Sequence, residues 1–306
     1  MENYKIFIHV NHKQKFAAKV AAYSFKKLLG EFPAEVEFIE LQDYPDLYDR
    51  DGQTYLRKGV KVEWINDDLQ SFTPLRFLPP QIMGYKGRAL VVDPDVFAIK
   101  DLTSLLTMDM KGKSIFVRKI ERDPPIFATS VMLLDCEKLK HWDWSNWIER
   151  LFNFEIDYRD WMSLHLEEPS SIGILEDHWN HYDLLNEKTC LLHTTQRNTQ
   201  PWKTGLPIDF HYDAHYIDEK GGSLGGKVAV AKRHLRIQVK RLLSYFNSNI
   251  KREDVYIPHP DINQEKLFLN LLNQLLAKGL VQVEEIKEEM KMNHLRHDLL
   301  KLVALP

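Results

Sequence analysis

The sequence predicts an α/β fold built on a mostly parallel sheet, and three observations predict it. Over roughly the first 215 residues, short apolar runs alternate with segments whose apolar residues recur at helical spacing, the order expected of strands joined by crossover helices. The connections between them fall on Gly, Pro, Asn and Asp, the residues that favour turns. At 306 residues the chain is long enough to bury a large core, as one α/β domain with an appendage.

In order, "KIFIHV" (residues 5–10) is the first strand, and "QKFAAKVAAYSFKKLL" after it has the spacing of an amphipathic helix. "VEFIEL" (36–41) is the second strand. "PLRFLPPQIMGY" reads as a short helix interrupted at Pro79 and Pro80, because proline removes a backbone donor and clashes with the preceding turn. It leads into the third strand, "RALVVD". "SIFVRKI" and "ATSVMLLD" are two further strands, and "SNWIERLF" is a helix. The composition then breaks at "DEKGGSLGGK", whose four glycines make a flexible joint. This divides the chain into residues 1–217, a Gly-rich linker at 218–227, and a C-terminal helical region at 228–306. From the end of the linker runs "KVAVAKRHLRIQVKRLLSYFNSNIKR" (227–252), which holds eight basic residues and no acid. "QEKLFLNLLNQLLAKGL" and "VEEIKEEMKMNHLRHDLLKLVAL" complete the C-terminal region, both helical and amphipathic.

Acidic and basic residues nearly balance, 44 against 41, so no overall field directs the chain to nucleic acid. The two cysteines, Cys136 and Cys190, lie inside apolar stretches, which suits reduced thiols better than a disulfide framework. "MENYKIFIHV" is too short and too charged for a secretory leader, and no apolar run approaches about 20 residues. A soluble, cytoplasmic protein is expected. The basic face around Lys232, Arg233, Arg236, Lys240 and Arg241 could meet an anionic membrane surface, or be solvated, or pair with the acidic "VEEIKEEM" helix.

Several motifs fail on inspection. "GGSLGGK" has the glycine spacing of a phosphate loop, but Val228 stands where a hydroxyl is needed and no strand precedes it. Asp49 and Asp51 form an Asp-x-Asp before Gly52, yet Leu47 and Lys58 occupy the first and last ligand positions of an EF-hand, so this is a turn. Neither a Gly-x-Ser-x-Gly elbow nor a Cys-x-x-Cys pair is present. "HWNH" and "HYDAH" read as surface or packing histidines.

A second Asp-x-Asp, Asp93 and Asp95, ends the apolar strand "ALVVD". Open parallel sheets place their ligand crevice at the carboxyl ends of strands. No Lys or Arg is adjacent to neutralise the pair, and two carboxylates so close repel unless a cation lies between them. A hard divalent ion, Mn²⁺ or Mg²⁺, suits such oxygen ligands and can bridge to a diphosphate. The ordinary alternative is a turn that caps a following helix.

Around this pair the chain resembles the retaining glycosyltransferases of family 8, over roughly residues 4 to 210. The likeness rests on ordered pieces: Arg76 in a helix before the strand, "ALVVDPDV", "KDLTSLL", "FATSVMLLD" in place of "FNSGVMLLD", "LEDHWN", and finally "CLLHTTQRNTQPW". The resemblance implies a Rossmann-like A-type glycosyltransferase fold binding a nucleotide sugar, usually a UDP-sugar, through Mn²⁺, with an unknown glycan, lipid or protein acceptor. It assigns Asp93, Asp95 and His193 to the metal, and Arg76 to the nucleotide phosphates. Asn11, just after the first strand, matches the loop that meets uracil and ribose, although it could equally cap the first helix. Ala128, Thr129 and Ser130 replace the Asn-Ser-Gly of the donor-sugar pocket, and Gln200 replaces a lysine at the β-phosphate, for which Lys203 is the nearest substitute. Asp160 matches the carboxylate near the anomeric carbon, or is a solvated acid on a helix. The implied reaction is metal-dependent sugar transfer with retention. Two alternatives stay open: a catalytically inactive relative that binds a nucleotide sugar or a partner, and a sugar-nucleotide nucleotidyltransferase, against which the glycine-free "NHKQKF" counts.

Overall fold

A computed structural model describes residues 3–121, 126–210 and 255–304. Strand β1 (Tyr4–Val10) has Ile6, Phe7, Ile8 and Val10 fully inaccessible. Burial of successive residues means both faces are covered, as a central strand of an α/β sheet requires. Helix α1 (Lys15–Leu29) is apolar over a wide arc because it is packed on two sides. Ala18, Ala22 and Phe25 lie against the sheet with Ile6, Ile8, Leu90 and Val92. Phe16, Val20 and Tyr23 face the C-terminal helices instead.

The main sheet adds β2 (Ala34–Glu40), β5 (Arg88–Val92), β7 (Ile115–Ile120), β8 (Ile126–Asp135) and β9 (Ile172–Ile174), in the order β2-β1-β5-β8-β7-β9. β1 is parallel to β2 and to β5, and β7 to β9, while β8 runs against both its neighbours. The sheet is therefore mostly parallel with one reversed strand, as expected. Side chains alternate between two cores: Phe7, Val91, Met132 and Leu134 on one face, Ile6, Ile8, Leu90, Val92 and Leu133 on the other. The strand order reverses at β1, with β2 on one side and β5 on the other. Such a switch point opens a crevice at the carboxyl ends of its strands.

Two smaller sheets escape the sequence reading. β3 (Thr54–Arg57) and β4 (Val60–Glu63) form a hairpin closed by Lys58 and Gly59, both at positive φ. β6 (Val96–Ala98), β10 (His181–Tyr182) and β11 (Leu191–His193) form a three-stranded sheet in the order β10-β11-β6. Each strand is only two to four residues long, too short to show a period.

Helices α2 (Trp144–Phe152) and α3 (Tyr158–Met162) follow β8, each capped by an aspartate side chain, Asp143 and Asp157. In the C-terminal part, α4 (Ile262–Ala277) and α5 (Val283–Lys291) are helical as expected. The helical pattern beyond Val283 is broken after Lys291, however. Asn293 takes a left-handed φ of 59°, and Arg296 turns inward to pair with Glu265 and Asp298 before a short turn at Leu299–Leu302. The Gly-rich linker and the basic segment, whose face could be membrane-bound, solvated or paired, lie outside the described residues, as does "HYDAH". Among the described residues no helix is long and apolar enough to cross a membrane.

Candidate metal centre

β5 ends at Val92, and Asp93-Pro94-Asp95-Val96 makes a turn closed by Val96 N–H donating to the Asp93 carbonyl (3.2 Å). Proline at the second position fits such a turn. The turn reverses the chain into β6, which pairs antiparallel with β11 so that His193 stands opposite Val96. Thr194 clamps the junction, its backbone N–H and its hydroxyl both donating to the Asp95 carbonyl (3.1 and 3.2 Å). This pairing brings an imidazole from a distant stretch of chain beside the carboxylates. His193 Nε2 is 3.3 Å from Asp95 Oδ1 and 4.0 Å from Asp93 Oδ2. One ligand atom from each of Asp93, Asp95 and His193 lies within 4.8 Å of the others, the only such group among the described residues.

The ring of His193 is oriented by Asn180. Its Nδ1 is 3.1 Å from Asn180 Oδ1, and Asn180 Nδ2 donates to Ser130 Oγ (3.1 Å). The amide is thus fixed with its oxygen toward the ring, which places the proton on Nδ1 and turns Nε2 to the carboxylates. Tyr182 holds the ring from the side in an edge-on contact at 5.4 Å. A neighbour fixing the far nitrogen is what a metal-binding histidine needs. Burial by itself would lower the His193 pKa, but Asp95 and then Asp93 outweigh it, and the imidazole titrates above its ordinary value.

Asp93 corrects one expectation. No cation adjoins it in sequence, yet the fold supplies one: Arg76 Nε donates to Asp93 Oδ1 (2.9 Å), and Arg76 Nη2 pairs with Oδ2. Arg76 Nη1 donates to Thr129 Oγ1 (2.8 Å), whose own hydroxyl donates to the Met162 carbonyl (2.8 Å). His9 Nε2 adds a contact of 2.7 Å to Asp93 Oδ1. Burial would raise the Asp93 pKa; Arg76, then His9, hold it well below the usual carboxylate range. Burial keeps His9 neutral by lowering its pKa, so Nε2–H is the donor to Asp93.

The remaining predicted residues divide into those at this corner and those outside it. Ala128, Thr129 and Ser130 lie where β8 slips register against β7: Val117 pairs with Met132, but Arg118 pairs with Ala128. The slip frees Thr129 and Ser130 to reach Arg76 and Asn180, a use of an irregular strand typical beside sites. Gln200 Nε2 is 3.4 Å from Asp95 Oδ2, and its Oε1 is buried without a partner. Asn11 is not the cap of α1, a position taken by Gln14. Its amide holds the 66–71 loop through Asp68 O (2.9 Å), Leu69 O (3.3 Å) and Ser71 Oγ (3.0 Å). Beside it, between the ends of β1 and β2, opens a cleft of about 580 Å³ reached by His12, Glu40, Tyr48 and Asp67. Lys203 is completely buried, its ammonium paired with Asp209 and lying over the Tyr256 ring at 5.5 Å. Asp160 is not one of the three grouped ligands; its half-exposed carboxylate is 3.2 Å from His165 Nδ1. Of "HWNH", His178 pairs with Glu176 and the buried His181 with Thr189.

The C-terminal part buttresses this corner. Trp202 is wholly buried against Phe268 (5.2 Å) and Phe97 (6.0 Å), and its carbonyl accepts from Arg296 N–H (2.7 Å). Gln264 of α4 donates to the carbonyl of Asp183 (2.8 Å), the residue whose N–H bonds the His193 carbonyl (2.9 Å). His9, Asn180 and Asp209 all escape the sequence reading. His9 had a signal: in parallel register Ile8 pairs with Val92, so the next residue of β1 meets Asp93. Asn180 figured only as the last residue of "LEDHWN", without a role, and Asp209 had no signal beyond its residue type.

No protein-family model matches the chain, and no curated protein is detectably similar to it. Solved structures are. The galactosyltransferase LgtC, in complex with donor and acceptor sugar analogues, is 13% identical over 81% of this chain and 98% of its own, with a TM-score of 0.47. The glycosyltransferase GlyE of Streptococcus pneumoniae TIGR4 is 14% identical over 67% of this chain and 57% of its own, at 0.47. Mouse xyloside xylosyltransferase 1 is 14% identical over 63% and 98%, at 0.42. These are likenesses of chain course, too loose to carry an argument about chemistry.

Proposed function

We propose that this chain is a metal-dependent glycosyltransferase of the A-type fold, which moves a sugar from a nucleotide-sugar donor, UDP-sugars first among them, to a glycan, lipid or protein acceptor with retention. One observation carries the reading: at the switch point of a mostly parallel sheet, a carboxylate pair and an imidazole from separate strands converge on one point, with the imidazole turned inward by Asn180. Two hard oxygen donors and one borderline nitrogen suit Mn²⁺ or Mg²⁺. When bound, the cation offsets the negative charge that develops on the departing diphosphate.

The protein's own residues do the rest. Asp93, Asp95 and His193 hold the ion; Asn180 and Tyr182 hold His193. Asn11 and the cleft beside it take the nucleoside, and Arg76 serves the phosphates. The slipped segment Ala128-Thr129-Ser130 borders the donor sugar, and Gln200 orients Asp95. Asp160, once released from His165, is the carboxylate that stabilises positive charge on the sugar or orients the acceptor. A second reading, a non-catalytic binder of nucleotide sugars, is favoured by one observation: both cations assigned to the diphosphate, Arg76 and Lys203, are already held by carboxylates.

A panel of UDP-sugars, with Mn²⁺ or with EDTA, separates the readings. Mn²⁺-dependent release of UDP and free sugar, lost in Asp95→Asn, is the expected result. Thermal stabilisation by a UDP-sugar with no turnover would establish the binder instead. The absence of both stabilisation and turnover would overturn the nucleotide-sugar reading.

A further inference from the structure

Asp93 has both oxygens engaged before any ion arrives. Arg76 holds it as a fork, Nε on Oδ1 at 2.9 Å and Nη2 on Oδ2, and His9 adds a third bond at 2.7 Å. The pair is nearly enclosed, with side-chain exposures of 11% and 10%. It is also braced, because Arg76 Nη1 bonds Thr129, which is tied in turn to the Met162 carbonyl. A desolvated, bidentate guanidinium is a strong rival for a carboxylate. With Asp93 held by arginine, Asp95 is the carboxylate of the pair that no Arg or Lys among the described residues engages; its one charged neighbour is His193, itself a ligand. Its Oδ2 meets only the neutral amide of Gln200, at 3.4 Å. The distances fit this competition: His193 Nε2 is 3.3 Å from Asp95 but 4.0 Å from Asp93, so the carboxylate held by arginine is the one standing back.

Resting on the reading above, we propose that Arg76 is an internal competitor for the metal centre, which occupies Asp93 in place of a divalent ion and exchanges onto the diphosphate when ion and nucleotide arrive together. The guanidinium is matched to both partners, since carboxylate and phosphate oxygens accept the same fork of N–H donors. Nothing is transferred covalently; Asp93 loses one cationic neighbour and gains another. Two consequences follow. The ion alone binds weakly, and nucleotide and ion each raise the other's affinity by the same factor, as linkage demands. Arg76 therefore opposes the ion when it is alone and assists it when a diphosphate is present.

The signs of these effects make the test sharp. Mn²⁺ is titrated into the full chain and into Arg76→Met, with free Mn²⁺ read by EPR, in the absence and presence of UDP. Without UDP, R76M is expected to bind Mn²⁺ about tenfold more tightly than wild type, and UDP is expected to improve its Mn²⁺ affinity less than it does in wild type. Unchanged or weaker Mn²⁺ binding by R76M in the absence of UDP would overturn the proposal, because a residue that merely positions Asp93 would weaken the site when removed. If R76M does not fold, Arg76→Lys carries the test: it keeps the charge but loses the fork, so a smaller tightening of the same sign is expected, and unchanged or weaker binding again overturns the proposal. Failure of the wild type to take up Mn²⁺ with or without UDP would overturn the reading of the centre itself, and the proposal with it.

Discussion

The chain carries two Asp-x-Asp tripeptides, and the fold treats them in opposite ways. Asp49 and Asp51 are exposed in a turn at the wall of the cleft beside Asn11, away from the carboxylate–imidazole group: Asp51 accepts the backbone N–H of Asn66 at 2.8 Å, and Gly52 at positive φ bonds the Trp64 carbonyl. Asp93 and Asp95 follow a strand whose Ala89, Leu90, Val91 and Val92 are fully buried, and they are met there by Arg76, His9, His193 and Gln200. The tripeptide is the same; the cost of desolvation differs. A carboxylate in a water-filled turn needs no partner, whereas one at the end of a buried strand must be supplied with cations or hydrogen-bond donors from elsewhere in the chain.

The contrast breaks most readily at Asp95. Asp95→Asn should weaken Mn²⁺ binding at least about a hundredfold and abolish turnover, since even outer residues around such sites are worth 10–100-fold. The melting transition should persist, which separates lost ligation from lost fold. Next in size is the buttress: Trp202→Ala removes a wholly buried indole from between Phe97 and Phe268 and should cost about 3–5 kcal/mol in denaturant unfolding. Asn180→Ala leaves all three ligand atoms in place but frees the His193 ring, and a loss of roughly 10–100-fold in Mn²⁺ affinity is expected by titration. The smallest effect belongs to the other tripeptide. Asp51→Asn should leave Mn²⁺ affinity unchanged, and a measurable loss there would erase the distinction between the two corners.

Proton competition sharpens the same contrast. His193 titrates above its ordinary value of 6.5 in the metal-free protein, where Asp95 and Asp93 favour its charged form. Its ion pair therefore adds stability that is complete below pH 6.5 and is lost as pH rises through the higher folded value. Metal binding must displace that proton, so Mn²⁺ affinity should run the other way, falling about tenfold per pH unit below the folded pKa. Melting curves in EDTA against Mn²⁺ titrations across pH 5 to 9 would show the two opposite slopes.

Much of the sheet was legible because its strands are long enough to show their pattern and are bounded by turn residues. The carboxylate pair was legible for the same reason: it ends an apolar run. What covers it was not. Arg76 was singled out, but toward phosphate; it lies in a short helical turn, Thr73–Phe77, and its hold on Asp93 depends on how that turn packs back before β5, which no local pattern encodes. His193 was assigned by resemblance, and the antiparallel pairing of β11 with β6 that delivers it involves three residues on each side, below the length at which period can be seen. Lys203 was marked as an available cation. Its partner Asp209 lies six residues on in an irregular stretch, where sequence spacing says nothing about contact. The C-terminal helices were legible as amphipathic, but an apolar face does not say what it will cover; here it is α1 and Trp202.

Pulsed EPR of the Mn²⁺-loaded full chain bears most directly on the central point, that one ion is gripped by a carboxylate pair and an imidazole brought from another strand. One Mn²⁺ per chain, showing a directly coordinated ¹⁴N signal that disappears in His193→Gln, is the expected result. A ¹⁴N signal that survives the substitution, or saturable Mn²⁺ binding that never shows one, would contradict it.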